Sequence, residues 1–192
     1  MPTKEEVEVL LATPDTSTDK GLIVRAILEL TYSTGLRRSE VCGLTIHDVD
    51  TAGGRVTVRN GKGAKDRVVP MGNQCCLWVR AYRDIVRPRL VSKSGNAGEQ
   101  TFFLNERYGT PMSIGILGYL FRVCVKNSGI ERRVTFHSLR HAFATHVLQG
   151  GADILDVREM LGHELVSTTQ KYAALTIKDV KDAHRKFHPR EQ

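Results

Sequence analysis

The chain has 192 residues, 41% of them hydrophobic and 26% charged, the balance of an ordinary globular protein of one full-sized domain. No apolar run approaches the roughly 18 residues that span a bilayer, and the charged start Met1-Pro2-Thr3-Lys4-Glu5-Glu6 has no apolar core of a secretory signal, so a membrane or secreted protein is not expected. Lysine and arginine total 28 against 21 acids, a formal charge of +7 that favours a polyanionic partner, because cations displace the counterions condensed on nucleic acid.

In chain order, Thr3-Lys4-Glu5-Glu6 forms a capping box that opens a short helix through Ala12. Residues Thr13 to Lys20 are polar, contain Pro14 and read as a loop. From Leu22 to Thr34 apolar residues recur at helical spacing (Leu22, Ile23, Ala26, Ile27, Leu30), and Gly35 follows as a C-cap. A second short helix is expected from Ser39 to Leu44. The period then changes. Arg55-Val56-Thr57-Val58-Arg59 alternates, Asn60-Gly61 is a hairpin turn signal, and Asp66-Arg67-Val68-Val69-Pro70 returns, giving a small antiparallel sheet.

Helical periodicity resumes from about Gln74 to Val86, with Pro88 limiting it on the C-terminal side. A Gly/Ser/Asn-rich loop spans Ser92 to Gly98, and Phe102-Phe103-Leu104 is a short strand or extended segment. Further helices are expected at Ser113–Asn127, His137–Gln149, Ile154–Leu161, Ser167–Leu175 and Ile177–Lys186. Gly129, Gly150-Gly151 and Gly162 lie at the stops between them. The expected fold is mainly α with a small antiparallel β-sheet (α+β), in a single domain over residues 1–192. The cysteines Cys42, Cys75, Cys76 and Cys124 have no metal spacing and point to a reduced, intracellular and cytoplasmic setting.

Four clusters carry chemical potential. His137, Arg140 and His141 fall near one face of a helix, since residues three and four apart are neighbours. The i, i+4 histidines have zinc-helix spacing, but Ser138 stands where such a motif needs Glu and the cation Arg140 lies between them, so zinc is disfavoured. A phosphate suits a guanidinium beside an imidazole; a core hydrogen-bond network is the bland alternative. Arg37 stands between a glycine stop and the next helix, where it can enter a cleft or remain a surface arginine, and Glu40 either fits the helix dipole or buttresses Arg37. Lys62 sits between glycines in the hairpin loop, with Lys65 and Arg67 close by; the spacing does not fit a Walker loop, so no nucleotide triphosphate is expected. Tyr172, on a short helix capped by Ser167, is either amphipathic packing or a nucleophile activated by nearby cationic charge.

Taken together, Gly-Leu-Arg-x-Ser-Glu at 35–40, Gly-Lys-Gly at 61–63, His-x-Leu-Arg-His at 137–141, Leu-Gly-His at 161–163 and Tyr172 occur in the order of one family. The chain resembles the catalytic domain of the tyrosine recombinases, the phage-integrase and Xer class of site-specific DNA recombinases. That resemblance implies catalytic roles for Arg37, Lys62, His137, Arg140, His163 and Tyr172, with Tyr172 attacking a DNA phosphodiester to form a 3′-phosphotyrosine. Under it, the arginines hold the non-bridging oxygens, Lys62 protonates the departing 5′-oxygen, His137 takes or shares the tyrosine proton and His163 bonds the phosphate. Glu40 and His141 are expected to support the site, and Arg38, Lys65 and Arg67 to position DNA phosphates.

The resemblance also implies no metal, no ATP or other cofactor, a double-stranded DNA partner and a homotetramer on DNA. The tail from Thr176 to Gln192 either docks on a neighbouring protomer or packs on its own domain. Only 36 residues precede Arg37, so the helical clamp domain that most relatives carry is expected to be absent from this chain, making DNA binding weak and salt-sensitive. The alternatives are an inactive DNA-binding relic of the fold and a DNA-relaxing enzyme like the type IB topoisomerases.

Overall fold

A computed structural model describes residues 1–59 and 66–162. Helices α1 (Lys4–Ala12), α2 (Asp19–Thr34) and α3 (Arg38–Gly43) lead into strands β1 (Val49–Asp50), β2 (Arg55–Val58) and β3 (Arg67–Pro70). Helices α4 (Asn73–Ala81), α5 (Arg87–Ser94), α6 (Ile114–Asn127), α7 (Phe136–Gln149) and α8 (Ile154–Leu161) complete the described part. The fold is therefore mainly helical with a small antiparallel sheet, as expected. None of the described helices is long and apolar enough to cross a membrane.

Helix α2 is the axis of the core. Every residue from Gly21 to Thr34 except Arg25 is buried, because α1, α4, α7 and β3 all pack against it. A helix enclosed on all sides must satisfy its polar groups internally. Thr31 donates to the Ile27 carbonyl at 2.7 Å, and Ser33 accepts the Gly72 N–H at 2.8 Å. The Glu29 carboxylate takes Arg25 at 2.8 Å, and the Arg25 guanidinium lies 4.6 Å from the Trp78 ring centroid. The helix starts at Asp19, earlier than its apolar periodicity, because Thr18 caps it by accepting the Gly21 N–H.

The sheet has the order β1-β2-β3, with Val56 opposite Val69 and Val58 opposite Arg67. Lys62 and Lys65 fall in the connection between these paired strands, outside the described residues. Strand β1 was not expected; two residues are too short to show a period. Phe102-Phe103-Leu104 stays outside this sheet and is joined to the chain by isolated bridges flanking it. These residues pack around Tyr82, whose hydroxyl donates to the Phe102 carbonyl and accepts the Leu104 N–H, each at 2.9 Å.

Pro88 does not end the helix before it. Between α4 and α5 the chain continues through a π-helical turn, Tyr82–Val86, in which the Arg87 N–H reaches the Tyr82 carbonyl. That wider turn changes the carbonyl register ahead of Pro88, and the proline sits in the first turn of α5, where its missing N–H costs little. The helix accordingly runs on to Ser94, where Gly95 caps it in the left-handed region.

Helix α7 crosses α2 through Tyr32, whose Oη lies 2.9 Å from Nδ1 of His146, a residue only 2% exposed. Burial pushes the His146 imidazole below its usual range; the Lys4 charge adds to this and Glu5 opposes it. The unfolded chain thus binds a proton near pH 6.5 where the folded chain does not, so this contribution to stability is present above that pH and is lost as pH falls below it. Urea midpoints at pH 7.5 and 5.5 will show a loss on acidification, and His146→Asn will reduce that loss. An unchanged pH slope in the variant would contradict this.

Candidate active site

Helix α7 begins at a reciprocal cap: Thr135 Oγ1 accepts the Ser138 N–H at 3.0 Å and Ser138 Oγ accepts the Thr135 N–H at 2.7 Å. Its apolar residues Leu139, Ala142, Phe143 and Val147 are buried, and they draw Arg140 inside with them, leaving it 5% exposed. The Arg140 guanidinium donates through Nη1 to the Gly35 carbonyl and through Nη2 to the Leu161 carbonyl at 2.8 Å. Gly35 caps the C-terminus of α2, and Leu161 is the last residue of α8. The cation is therefore seated at the negative ends of two helices. Gly35 has φ +63°, and a Cβ there would lie 2.5 Å from Phe143 Cδ1 and 2.8 Å from Leu161 Cδ2, so three elements close on this point only because it is glycine.

Directly after that cap comes Arg37, about half exposed. Glu40, one turn into α3, accepts its backbone N–H at 2.7 Å and its Nη1 at 3.0 Å. The same carboxylate is gripped from the other side by Arg67 of β3, Nη1 to Oε1 at 3.0 Å and Nη2 to Oε2 at 2.9 Å. Arg67 then donates Nε to the Met160 carbonyl at 2.9 Å. Arg140 thus joins two helix ends, while Arg37 and Arg67 share one carboxylate that ties the start of α3 to β3 and, through Arg67, to the end of α8.

The electrostatics follow from that count. Burial pushes the Glu40 carboxyl up, but hydrogen bonds from the Arg67 side chain and the Arg37 backbone, the Arg67 charge and the Arg37 side-chain hydrogen bond outweigh it and hold the group below its usual range. Arg140 is pushed down to about 10 by burial first and then by the Arg37 and Arg67 charges, with Glu40 opposing. Among the described residues of this cluster, three cations stand against one anion, an excess of positive charge that reaches the surface at the half-exposed Arg37. Such a cluster suits an anion with several oxygens, which would relieve the mutual repulsion.

Residues 2–178 match the phage integrase family. The chain belongs to that family. It is 40% identical over 185 residues to tyrosine recombinase XerC 2 of Ralstonia nicotianae, covering 96% of this chain and 52% of that protein. It is 41% identical over 186 residues to tyrosine recombinase XerC of Myxococcus xanthus, covering 97% of this chain and 61% of that protein. The chain thus spans between half and two thirds of the length of these curated relatives. Among solved structures, the XerA recombinase superposes with a TM-score of 0.75 at 31% identity, over 96% of this chain and 64% of that one.

Within this phage integrase fold, Arg37, Glu40 and Arg140 come together as a single cluster. His137, one turn before Arg140 on α7, is exposed. Lys62, Lys65, His163 and Tyr172 lie outside the described residues. Arg38 lies over α6, where a Cβ on Gly118 would meet its Nη1 at 2.6 Å and Arg122 Nη1 at 3.7 Å, so two exposed guanidiniums share that glycine surface.

For Arg67 and His141 the surroundings differ from those their expected roles suggest. Arg67 was grouped with the phosphate-positioning residues, yet it is 8% exposed and all three of its guanidinium nitrogens bond to Glu40 or Met160. The alternation of β3 carries the reason, because Arg67 shares a face with the buried Val69. His141, expected with Glu40 to support the site, is exposed and makes no hydrogen bond to another described residue, whereas Glu40 is held by Arg67.

Proposed function

We propose that this chain is the catalytic part of a site-specific DNA recombinase, cleaving and rejoining double-stranded DNA through a 3′-phosphotyrosine on Tyr172. The observation that carries this is the convergence of Arg37 and Arg140, more than 100 residues apart in sequence, within one cationic cluster. In-line attack on a phosphodiester adds negative charge to the non-bridging oxygens, and oriented guanidiniums stabilise that charge more than they stabilise the ground state. Arg140 is held in one orientation by two carbonyls, and Arg37 by Glu40, so little rotamer freedom is lost when the phosphate arrives.

Lys62 then protonates the departing 5′-oxygen, while His137 and His163 manage the tyrosine proton and the phosphate. Retaining the ester in a phosphotyrosine preserves its energy for rejoining, so no ATP is consumed. Guanidiniums ligate no metal, and both Glu40 oxygens are taken by arginines, so the positive charge of the site comes from side chains. Homo-oligomers on DNA and action in the cytoplasm belong to the same proposal.

The test is a pool of nicked duplexes with randomised arms, incubated with the chain and resolved under denaturing conditions. A covalent protein–DNA adduct should form, and mass spectrometry of its peptides should place the nucleotide on Tyr172. Absence of any adduct would match an inactive relic, and relaxation of any supercoiled plasmid without site dependence would match a topoisomerase; either contradicts the proposal.

A further inference from the structure

Arg67 spends a buried guanidinium on one carboxylate and one carbonyl. A buried ion pair of this kind adds little net stability, because desolvation offsets most of the Coulomb attraction and a well-packed apolar pair would do as well. What the geometry does provide is connection. Its two Nη atoms take both oxygens of Glu40 in a parallel fork, the same oxygens that accept the Arg37 N–H and Nη1. Its Nε takes the Met160 carbonyl in the last turn of α8, and the αL cap Gly162 packs on it so closely that a Cβ there would lie 3.0 Å from Arg67 Cδ and Nη1. The neighbouring Leu161 carbonyl holds Arg140.

We infer that Arg67 is a positioning residue, which fixes the Arg37 guanidinium through Glu40 and ties it to the α8 terminus that seats Arg140. Its consequence for strand cleavage rests on the function proposed above. Without Arg67, the cations that Glu40 faces among the described residues are Arg37 from the start of α3 and the more distant Arg140 from α7, and the long Arg37 side chain samples many rotamers.

The test compares Arg67→Met, Arg67→Lys, Glu40→Gln and the double variant Arg67→Met/Glu40→Gln, which removes the carboxylate with its partner and so keeps the interior neutral. Carbon-13 NMR of the Glu40 carboxyl should show its titration midpoint rising in Arg67→Met and moving back in Arg67→Lys. Affinity for inorganic phosphate should fall on the order of tenfold in Arg67→Met, with partial recovery in Arg67→Lys. The double variant should bind phosphate no more weakly than Glu40→Gln alone, since the two residues act as one unit. On nicked duplex, Arg67→Met should cleave on the order of 10- to 100-fold more slowly, most of all at low pH.

A merely structural Arg67 would lower the melting temperature yet leave the Glu40 midpoint and the shape of the pH–rate profile unmoved. Arg67→Met with wild-type midpoint and wild-type phosphate affinity overturns the inference. If the wild-type chain forms no adduct, the cleavage reading fails by itself, and the midpoint and phosphate affinity still decide the role of Arg67.

Discussion

On the proposed function, replacing Arg140 by lysine will leave a folded protein whose strand cleavage is slower by about 100- to 1,000-fold, the loss typical of removing one transition-state donor. Lysine keeps the charge but not the planar fork. A single ammonium cannot hold the Gly35 and Leu161 carbonyls together in the same geometry, so one buried acceptor is left unmet at a cost of about 1–3 kcal/mol. That is a noticeable share of the stability of a domain this size, but it does not abolish folding. Circular dichroism melts and single-turnover adduct formation separate the two effects. A variant that melts lower but cleaves at the wild-type rate would reduce Arg140 to a structural strut between helix ends.

Gly35→Ala is the second large expected effect, and it acts from the other partner. Two costs add. The left-handed backbone at φ +63° penalises a Cβ by about 1–2 kcal/mol, and overpacking against Phe143 and Leu161 adds about 1–3 kcal/mol. The expected loss is therefore about 2–5 kcal/mol in urea denaturation. Because the Gly35 carbonyl holds Arg140 and its C-terminal neighbours lead into Arg37, surviving folded protein should also be slow in the proposed cleavage. A destabilisation below that of an ordinary surface substitution would mean that the cap is not the closure point of these three elements.

Much of this architecture was legible before any coordinates. The Thr3 capping box, the Gly35 stop, the alternation on either side of Asn60-Gly61 and the limits of α8 are local signals, and local signals place local structure. Pro88 misled for a local reason too: a proline argues for a helix stop only where the preceding turn is α-helical, and here it is π-helical. The site was legible only in part. Arg37, Glu40 and Arg140 stand in recognisable sequence surroundings, but the groups that orient Arg140 are the Gly35 and Leu161 carbonyls, and backbone atoms carry no side-chain signature. Arg67 had a usable signal, its same-face relation to Val69, but basic character in a loop-rich neighbourhood suggested a solvated phosphate contact instead. For His141, spacing places it near His137 and Arg140 but carries no signal for the exposure of its side chain.

The central claim is that one anion is held by Arg37 and Arg140 at the same time. Nitrogen-15 NMR of the arginine Nε resonances during a titration with inorganic phosphate tests it most directly. Arg37 and Arg140 should shift together with a single common midpoint, while Arg83, already bonded to Asp84 and Thr51, stays still. Separate midpoints for the two residues, or a response from Arg37 alone, would contradict the account.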